Sequence, residues 1–306
     1  MNRFEAEAPA KINLALAVTG VRDDGYHTLR SVFLQLALHD RLEVELDPQA
    51  ERDSVEVDGE LEAGDDNLVL RAARQLRAAI DPSLPALRFY LRKRIPAAAG
   101  LGGGSSDAAA ALDLALAAWG VRLHPAERLG AALRVGADVP FFTAGHAASL
   151  IEGIGEHVVP LPAPEPPAGI LLITPRERLS TAAVFTEYDR VPATAAFERV
   201  DEVADLLRED IDGMTLAATT TMLRQANDLW APASRLLPGL VALRDLAASV
   251  LGRAVLLTGS GSTLVAVYPS EAAATRAAVS LQASAAPELE GAVIITTSTI
   301  GRGEDS

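Results

Sequence analysis

Only Lys11 and Lys93 among the 27 basic residues of this chain are lysine; the rest are arginine. A chain that uses arginine for generic positive charge and keeps an ammonium in two places points to those places, because a compact ammonium and a planar guanidinium are not interchangeable. Lys11 sits in Pro9-Ala10-Lys11-Ile12-Asn13, and Ile12, Leu14, Leu16 and Val18 alternate with their neighbours. Period two makes this a strand and puts Lys11 and Asn13 on one face. Lys93 precedes Pro96-Ala97-Ala98-Ala99-Gly100-Leu101-Gly102-Gly103-Gly104-Ser105-Ser106-Asp107, and an Ala/Leu run to Trp119 follows. A strand, a glycine-rich loop and a helix in that order suit phosphate: bare N–H groups converge, and the helix N-terminus adds partial positive charge. The two serines add hydroxyls for phosphate or metal. Asp138, in Gly136-Ala137-Asp138-Val139-Pro140, is a candidate proton acceptor. Pro140 biases Val139 toward extended geometry, which would turn the Asp138 carboxylate out of the preceding helix. The bland readings are a flexible turn for the glycines and a helix stop for Asp138.

Spacing narrows the phosphate binder. A Walker loop needs Gly-x-x-x-x-Gly-Lys-Ser/Thr, and neither lysine lies inside this loop. A dinucleotide loop needs Gly-x-Gly-x-x-Gly; Gly100-x-Gly102-x-x-Ser105 lacks the third glycine.

The positioning elements follow from pattern. Strands are expected over 10–20, 29–38, 41–47 and 87–95, the last ended by Pro96. Helices are expected over 67–80, from the glycine loop to about Trp119 with Ser105, Ser106 or Asp107 as N-cap, and over 125–134. Arg22 to Gly25 is a turn. Five prolines between Val158 and Ala168 read as a linker and divide the chain into domains 1–160 and 161–306. Beyond them come a buried strand at 170–174, several helices and a strand–loop–strand around Gly259. Residues 301–306 read as a disordered tail.

Composition excludes several classes. A net charge of −14 argues against nucleic acid, which needs clustered Lys and Arg. There is no cysteine, hence no disulfide, thiolate nucleophile or Cys-based zinc site. His27, His39, His124, His146 and His157 are scattered without metal-ligand spacing. The polar N-terminus is not a signal peptide, and no apolar run approaches the ~18 residues that span a bilayer. A soluble cytoplasmic protein without membrane partner is expected.

The three motifs together carry a resemblance. Pro9-Ala10-Lys11-Ile12-Asn13, the Pro96 to Ser106 loop and Thr258-Gly259-Ser260-Gly261-Ser262-Thr263 occur in the order seen in the galactokinase, homoserine kinase, mevalonate kinase and phosphomevalonate kinase (GHMP) superfamily. Two further segments are similar to its diphosphocytidyl-methylerythritol kinases: Arg22-x-Asp24-Gly25-Tyr26-His27, which holds a cytidine there, and Gly136-Ala137-Asp138-Val139-Pro140, which carries the catalytic aspartate there. Ser180-Thr181-x-x-Val184-Phe185 matches the region that completes the pyrimidine sandwich, with Phe185 opposite Tyr26; Asp66-Asn67-Leu68 resembles the adenine-side segment, or is simply a helix N-cap.

The resemblance implies an α+β fold of two domains, the first like ribosomal protein S5 and the second ferredoxin-like, the second completing the substrate cleft. It implies an ATP-dependent kinase acting on the 2-hydroxyl of a cytidine diphosphate-linked methylerythritol, in the non-mevalonate route to isoprenoids. Asp138 would be the base and Lys11 would orient the hydroxyl. ATP would be held by Asn67 and by Pro96, Ala97, Ala98, Ala99, Gly100, Leu101, Gly102, Gly103, Gly104, Ser105 and Ser106. Asn13, Tyr26, His27, Asp138, Thr181, Phe185, Gly259 and Ser260 would hold the acceptor. Mg²⁺ would ride on the ATP phosphates, with no side chain assigned to it, and the enzyme would be a monomer or homodimer. Two departures stand out: Ala97-Ala98-Ala99 replaces a more glycine-rich stretch, and Asp107 brings a negative charge close to the phosphate loop. Another kinase of the superfamily or a non-catalytic relative are the rival readings; the pyrimidine features argue against the first, and retention of Lys11 and Asp138 against the second.

Overall fold

The computed structural model describes residues 3–61, 66–190 and 196–301; of the expected tail, residues 302–306 lie outside the described residues. In chain order the strands are β1 (Phe4–Val21), β2 (His27–Asp47), β3 (Ser54–Val57), β4 (Glu60–Leu61), β5 (Ala86–Arg92), β6 (Ala148–Gly153), β7 (His157–Leu161), β8 (Gly169–Thr174), β9 (Leu256–Leu257), β10 (Leu264–Tyr268) and β11 (Val293–Ser298). The helices are α1 (Leu68–Ile80), α2 (Gly103–Trp119), α3 (Pro125–Val135), α4 (Val139–Ala144), α5 (Thr181–Tyr188), α6 (Phe197–Arg208), α7 (Gly213–Leu223), α8 (Trp230–Leu236), α9 (Gly239–Leu251) and α10 (Glu271–Ala283). No described helix is long and apolar enough to cross a membrane.

The chain forms two compact units, neither continuous in sequence. Met1–Ala10, Leu38–Ala97 and Gly102–Gly145 make the first; Lys11–Ala37, Ala98–Leu101 and His146–Ser306 make the second. In the first, Arg41–Asp47 of β2 pairs antiparallel with β5, β3 lies parallel to β5, and β4 returns on β3. Leu87, Phe89 and Leu91 of β5 are buried while Arg88 and Arg92 are exposed, as period two requires. Helices α1 and α2 pack side by side, and the run Ala108–Ala111 in α2 is buried, small side chains allowing close approach.

In the second unit, Leu29–Leu34 of β2 pairs with β6, and β6 with β7. A separate antiparallel sheet runs β11-β8-β10-β9. Every residue of β8 is buried, and Leu171, Ile173, Leu264 and Ala266 join Leu240, Leu243, Ala274 and Leu281 of the helices in one core. The proline-rich stretch 158–168 lies inside this unit, where the Glu165 N–H donates to the Ile211 carbonyl at 3.0 Å.

Three local expectations are corrected. The strands expected at 29–38 and 41–47 are one strand, β2. Asp40 stays within it: the carboxylate is fully buried and accepts the Arg94 and Ile95 N–H groups at 2.5 and 2.9 Å. Helix α2 begins earlier, and its N-cap is Gly102 in the left-handed region (φ 71°), not Ser105, Ser106 or Asp107. Val139 is not extended but opens α4; Pro140 sits in the first turn, where its missing N–H costs no helical bond.

Candidate functional site

In the second unit, β1 presents Lys11 and Asn13 on one face, both 4% exposed. The Lys11 ammonium donates to Asn13 Oδ1 at 2.7 Å and lies 4.4 Å from the Phe33 ring centroid. The Asn13 amide donates to Ser31 Oγ at 2.9 Å, and Ser31 Oγ donates to the Ala15 carbonyl at 2.6 Å. The Asn13 N–H donates to Thr258 Oγ1 at 2.8 Å, tying β1 to the second glycine loop. Sequence reasoning missed Ser31, because it reaches the pair across strands rather than by local spacing.

The apex of the first glycine loop, Ala98–Leu101, belongs to the same unit. The Lys11 N–H donates to the Leu101 carbonyl at 2.9 Å. Gly100 has φ 78°, and a Cβ there would meet the Gly261 and Thr258 carbonyl oxygens at 2.8 and 3.0 Å. A Cβ on Gly259 would stand 3.1 Å from Asn13 Oδ1 and 3.7 Å from Lys11 Nζ. Two glycine loops far apart in sequence therefore meet at the buried ammonium. Gly100→Ala is expected to lose about 2–3 kcal/mol of stability, part from the left-handed φ and part from two backbone oxygens that cannot swing aside. Gly25→Ala isolates the first part, since Gly25 has φ 85° and nothing within 4 Å of an added Cβ. Urea unfolding of both variants checks this; equal losses would remove the close-approach argument.

A second cluster lies at the start of β2. The His27 and Phe185 rings stack at 4.8 Å with a 29° tilt, Tyr188 meets His27 edge-on at 6.0 Å, and His27 Nε2 is 2.8 Å from Asp189 Oδ1. Tyr26 is 64% exposed, and Phe185 stacks on His27. Thr181 Oγ1 and Ser260 Oγ are 2.9 Å apart, so these two predicted residues are brought together. Asp189 and Tyr188 were missed: an acidic residue after a helix carries no local signal of a histidine partner.

In the first unit, the loop leaves at Pro96-Ala97 and returns at Gly102 to begin α2. Gly102 offers no side chain to cap the N–H groups of Gly103, Gly104 and Ser105, so the helix start stays open to an anion. Ser106 Oγ is buried with no hydrogen-bond partner in the structure. Such an orphaned hydroxyl beside an uncapped helix start fits phosphate oxygens or a metal-bound water. A Cβ on Gly103 would meet Ile95 Cγ2 at 3.0 Å, and one on Gly136 would stand 3.9 Å from Ser105 Oγ, so the Gly136–Asp138 turn lies beside the helix start. Asp138 is the N-cap of α4 but makes no side-chain cap bond. Asn67 caps α1, its Oδ1 accepting the Val69 N–H at 2.9 Å. Among the described residues no cluster of three or more His, Cys, Asp or Glu could hold a metal.

Asp107 is explained here. Its carboxylate accepts from Lys93 Nζ at 2.6 Å, and the same ammonium donates to Asp40 at 2.5 Å. Burial pushes the Asp107 carboxyl up to about 7; Lys93 pulls the other way and Asp40 adds to the rise. Burial works against the Lys93 charge, but the two carboxylates outweigh it and raise its pKa. The negative charge that Asp107 brings close to the phosphate loop is paired with Lys93, the residue just after β5.

Known proteins resemble this chain along most of its length. The model of the GHMP kinase N-terminal domain matches residues 67–146, and that of the GHMP kinase C-terminal domain matches 203–286. The chain is 39% identical over 292 residues to 4-diphosphocytidyl-2-C-methyl-D-erythritol kinase of Paramagnetospirillum magneticum, covering 93% of this chain and 95% of that one. It is 37% identical to the protein of the same name from Ruegeria pomeroyi, covering 88% and 90%. A crystal structure of 4-(cytidine 5'-diphospho)-2C-methyl-D-erythritol kinase superposes with a TM-score of 0.73 at 32% identity, covering 98% of this chain and all of that one. The mevalonate kinase of Methanococcus jannaschii reaches the same TM-score at 13% identity, covering 98% and 99%, a likeness of fold alone. On its near-full-length identity and its paired glycine loops, this chain belongs to the 4-diphosphocytidyl-2-C-methyl-D-erythritol kinase family of the GHMP kinases.

Proposed function

We propose that this kinase transfers the γ-phosphoryl group of ATP to the 2-hydroxyl of 4-diphosphocytidyl-2-C-methyl-D-erythritol, a step in the non-mevalonate (methylerythritol phosphate) route to isoprenoid precursors. The observation that carries the reading is the close approach of the two glycine loops at Gly100 and Gly261, with Gly259 and Asn13 beside the buried Lys11 ammonium. Phosphoryl transfer needs positioning and charge stabilisation more than covalent chemistry from the protein. Lys11 is suited to both: Asn13 fixes its direction, and its burial keeps its charge from being screened by water. It would orient the acceptor hydroxyl and offset charge on the transferring group. Asp138 would take the hydroxyl proton.

The Gly100–Ser106 loop, entered through Pro96 to Ala99, would hold the nucleotide phosphates on the uncapped N–H groups of α2, with Asn67 on the adenine side. Mg²⁺ would be held by the phosphates and the orphaned Ser106 hydroxyl, and would supply charge neutralisation. Asn13, Thr181, Gly259 and Ser260 would position the acceptor. Tyr26, His27 and Phe185 would hold the pyrimidine, Tyr26 with its exposed ring and His27 with a ring already stacked on Phe185. A cytoplasmic location, a monomeric or homodimeric state and a domain division near residue 160 go with this reading.

The test is ADP release with Mg-ATP and each of 4-diphosphocytidyl-2-C-methyl-D-erythritol, mevalonate, homoserine and galactose. Release only with the cytidyl compound is expected; release with another acceptor instead would sink the pyrimidine assignment. Phe185→Ala is expected to raise KM for the cytidyl acceptor roughly tenfold to a hundredfold, since base stacking on an aromatic is worth about 1–3 kcal/mol. KM for ATP should not move. An unchanged acceptor KM would place the pyrimidine elsewhere.

A further inference from the structure

The second unit carries a cavity of about 600 Å³ whose lining includes no residue of the glycine loops or of the His27 cluster. It is lined by Arg199 of α6, Arg224 at the end of α7, Gln225 and Asn227 of the following loop, Trp230 of α8 and Arg244 of α9. In a chain of net charge −14, three arginines lining one cavity need an explanation. Neighbouring carboxylates do not supply it. Among the described residues, Asp245 is the one acid paired with any of the three, at 3.5 Å from Arg224 and 3.6 Å from Arg244, and it is itself 55% exposed. Arg199 spends one donor on the Met222 carbonyl at 3.0 Å.

Arg244 is the most constrained of the three. Its guanidinium lies 3.5 Å from the Trp230 ring centroid, its side chain is 13% exposed, and its Nε is buried with no hydrogen-bond partner. Burial, and then the charge of Arg224, disfavour its protonated form. Two like charges held together with one shared acid and an unmet donor form a site that an anion would stabilise. Asn227 is a wall rather than a donor, because its amide N–H groups already go to the Leu257 and Gly259 carbonyls at 3.0 and 2.9 Å. The volume falls within the range of small-molecule sites.

We propose that this cavity binds a small phosphorylated anion, whose oxygens are taken by Arg199, Arg224 and Arg244 and whose remaining part lies against Trp230. Three guanidiniums set against one carboxylate leave room for two negative charges, which a phosphoryl or diphosphoryl group supplies in a geometry that arginine forks match.

The chain has two tryptophans, so Trp119→Phe leaves Trp230 as the sole indole. That variant would be titrated with inorganic pyrophosphate, phenyl phosphate and succinate at constant ionic strength while Trp230 emission is followed. A saturable change with pyrophosphate or phenyl phosphate is expected, its dissociation constant raised at least tenfold by Arg224→Gln and likewise by Arg199→Gln. Tighter binding of phenyl phosphate assigns an organic phosphate as ligand; tighter binding of pyrophosphate assigns free diphosphate. A change that follows ionic strength alone, equal binding of succinate, or an affinity indifferent to both arginine variants overturns the proposal. The last outcome would mean that the anion binds at the glycine loop instead. If Trp119→Phe does not fold, calorimetric titration of the unaltered enzyme against Arg224→Gln is judged by the same criteria.

Discussion

Asp138→Asn should lower kcat by roughly 10²- to 10⁴-fold, the usual contribution of a positioned general base. The substitution keeps shape and removes the proton-accepting oxygen. No helix cap is lost with it, because Asp138 makes no side-chain cap bond in α4. KM for ATP should change little, since the phosphate loop and α2 do not depend on the carboxylate in the proposed scheme. Lys11→Met should also be severe, and the double variant should be little worse than the poorer single one, as for groups that act on one transition state. Single-turnover kinetics with the cytidyl acceptor give the numbers. A kcat within threefold of wild type for Asp138→Asn would remove it from the chemistry and leave Lys11 with positioning alone.

Lys93→Met should destabilise the protein by about 3 kcal/mol at neutral pH. Removing one partner of a buried ion pair leaves an uncompensated charge, at a cost of about 3–5 kcal/mol; the lower end applies because the Lys93 side chain is still 23% exposed. Here two carboxylates lose their shared cation, and Asp40 has no exposure to water. The sign of the pH effect follows from Asp107, whose carboxyl is raised in the folded state to about 7 from an ordinary value of 3.8. A raised carboxyl binds its proton more tightly when folded, so its contribution is full below about 4 and fades as pH climbs through about 7. Without Lys93, which pulls it down, the Asp107 carboxyl rises further, and the variant should recover part of its loss at pH 5 compared with pH 8. Urea midpoints at the two pH values decide. A loss under 1 kcal/mol, or one larger at pH 5, would show that the ammonium does not hold this pair.

The sequence revealed the chemistry-bearing groups better than their partners. Lys11 and Asn13 were legible because period two places them on one face, and the structure joins them at 2.7 Å. The helix start of α2 was misjudged because serine and aspartate are the usual caps, whereas here a left-handed glycine leaves the N–H groups uncapped. The expected division of β2 into two strands fell at His39 and Asp40; Asp40 is tolerated in mid-strand because two backbone N–H groups and an ammonium meet it. Lys93 stood out by composition, yet its role needed Asp40 and Asp107, 53 and 14 residues away in sequence. The three arginines around Trp230 carried no signal at all, because arginine is this chain's generic cation and their convergence is made by four helices.

The interrupted sequence make-up of the two units has a consequence for synthesis. Residues Lys11–Ala37 belong to the second unit, but β6, which pairs with Leu29–Leu34, begins at Ala148. On a ribosome adding about 5–20 residues per second, that apolar segment waits on the order of 10 s for its partner. During that interval Val32, Phe33 and Leu34, all buried in the finished protein, have no native strand at β6 to cover them. The nascent chain therefore carries an open strand edge while residues 35–147 are made, the condition under which chaperone capture and off-pathway strand pairing compete with folding.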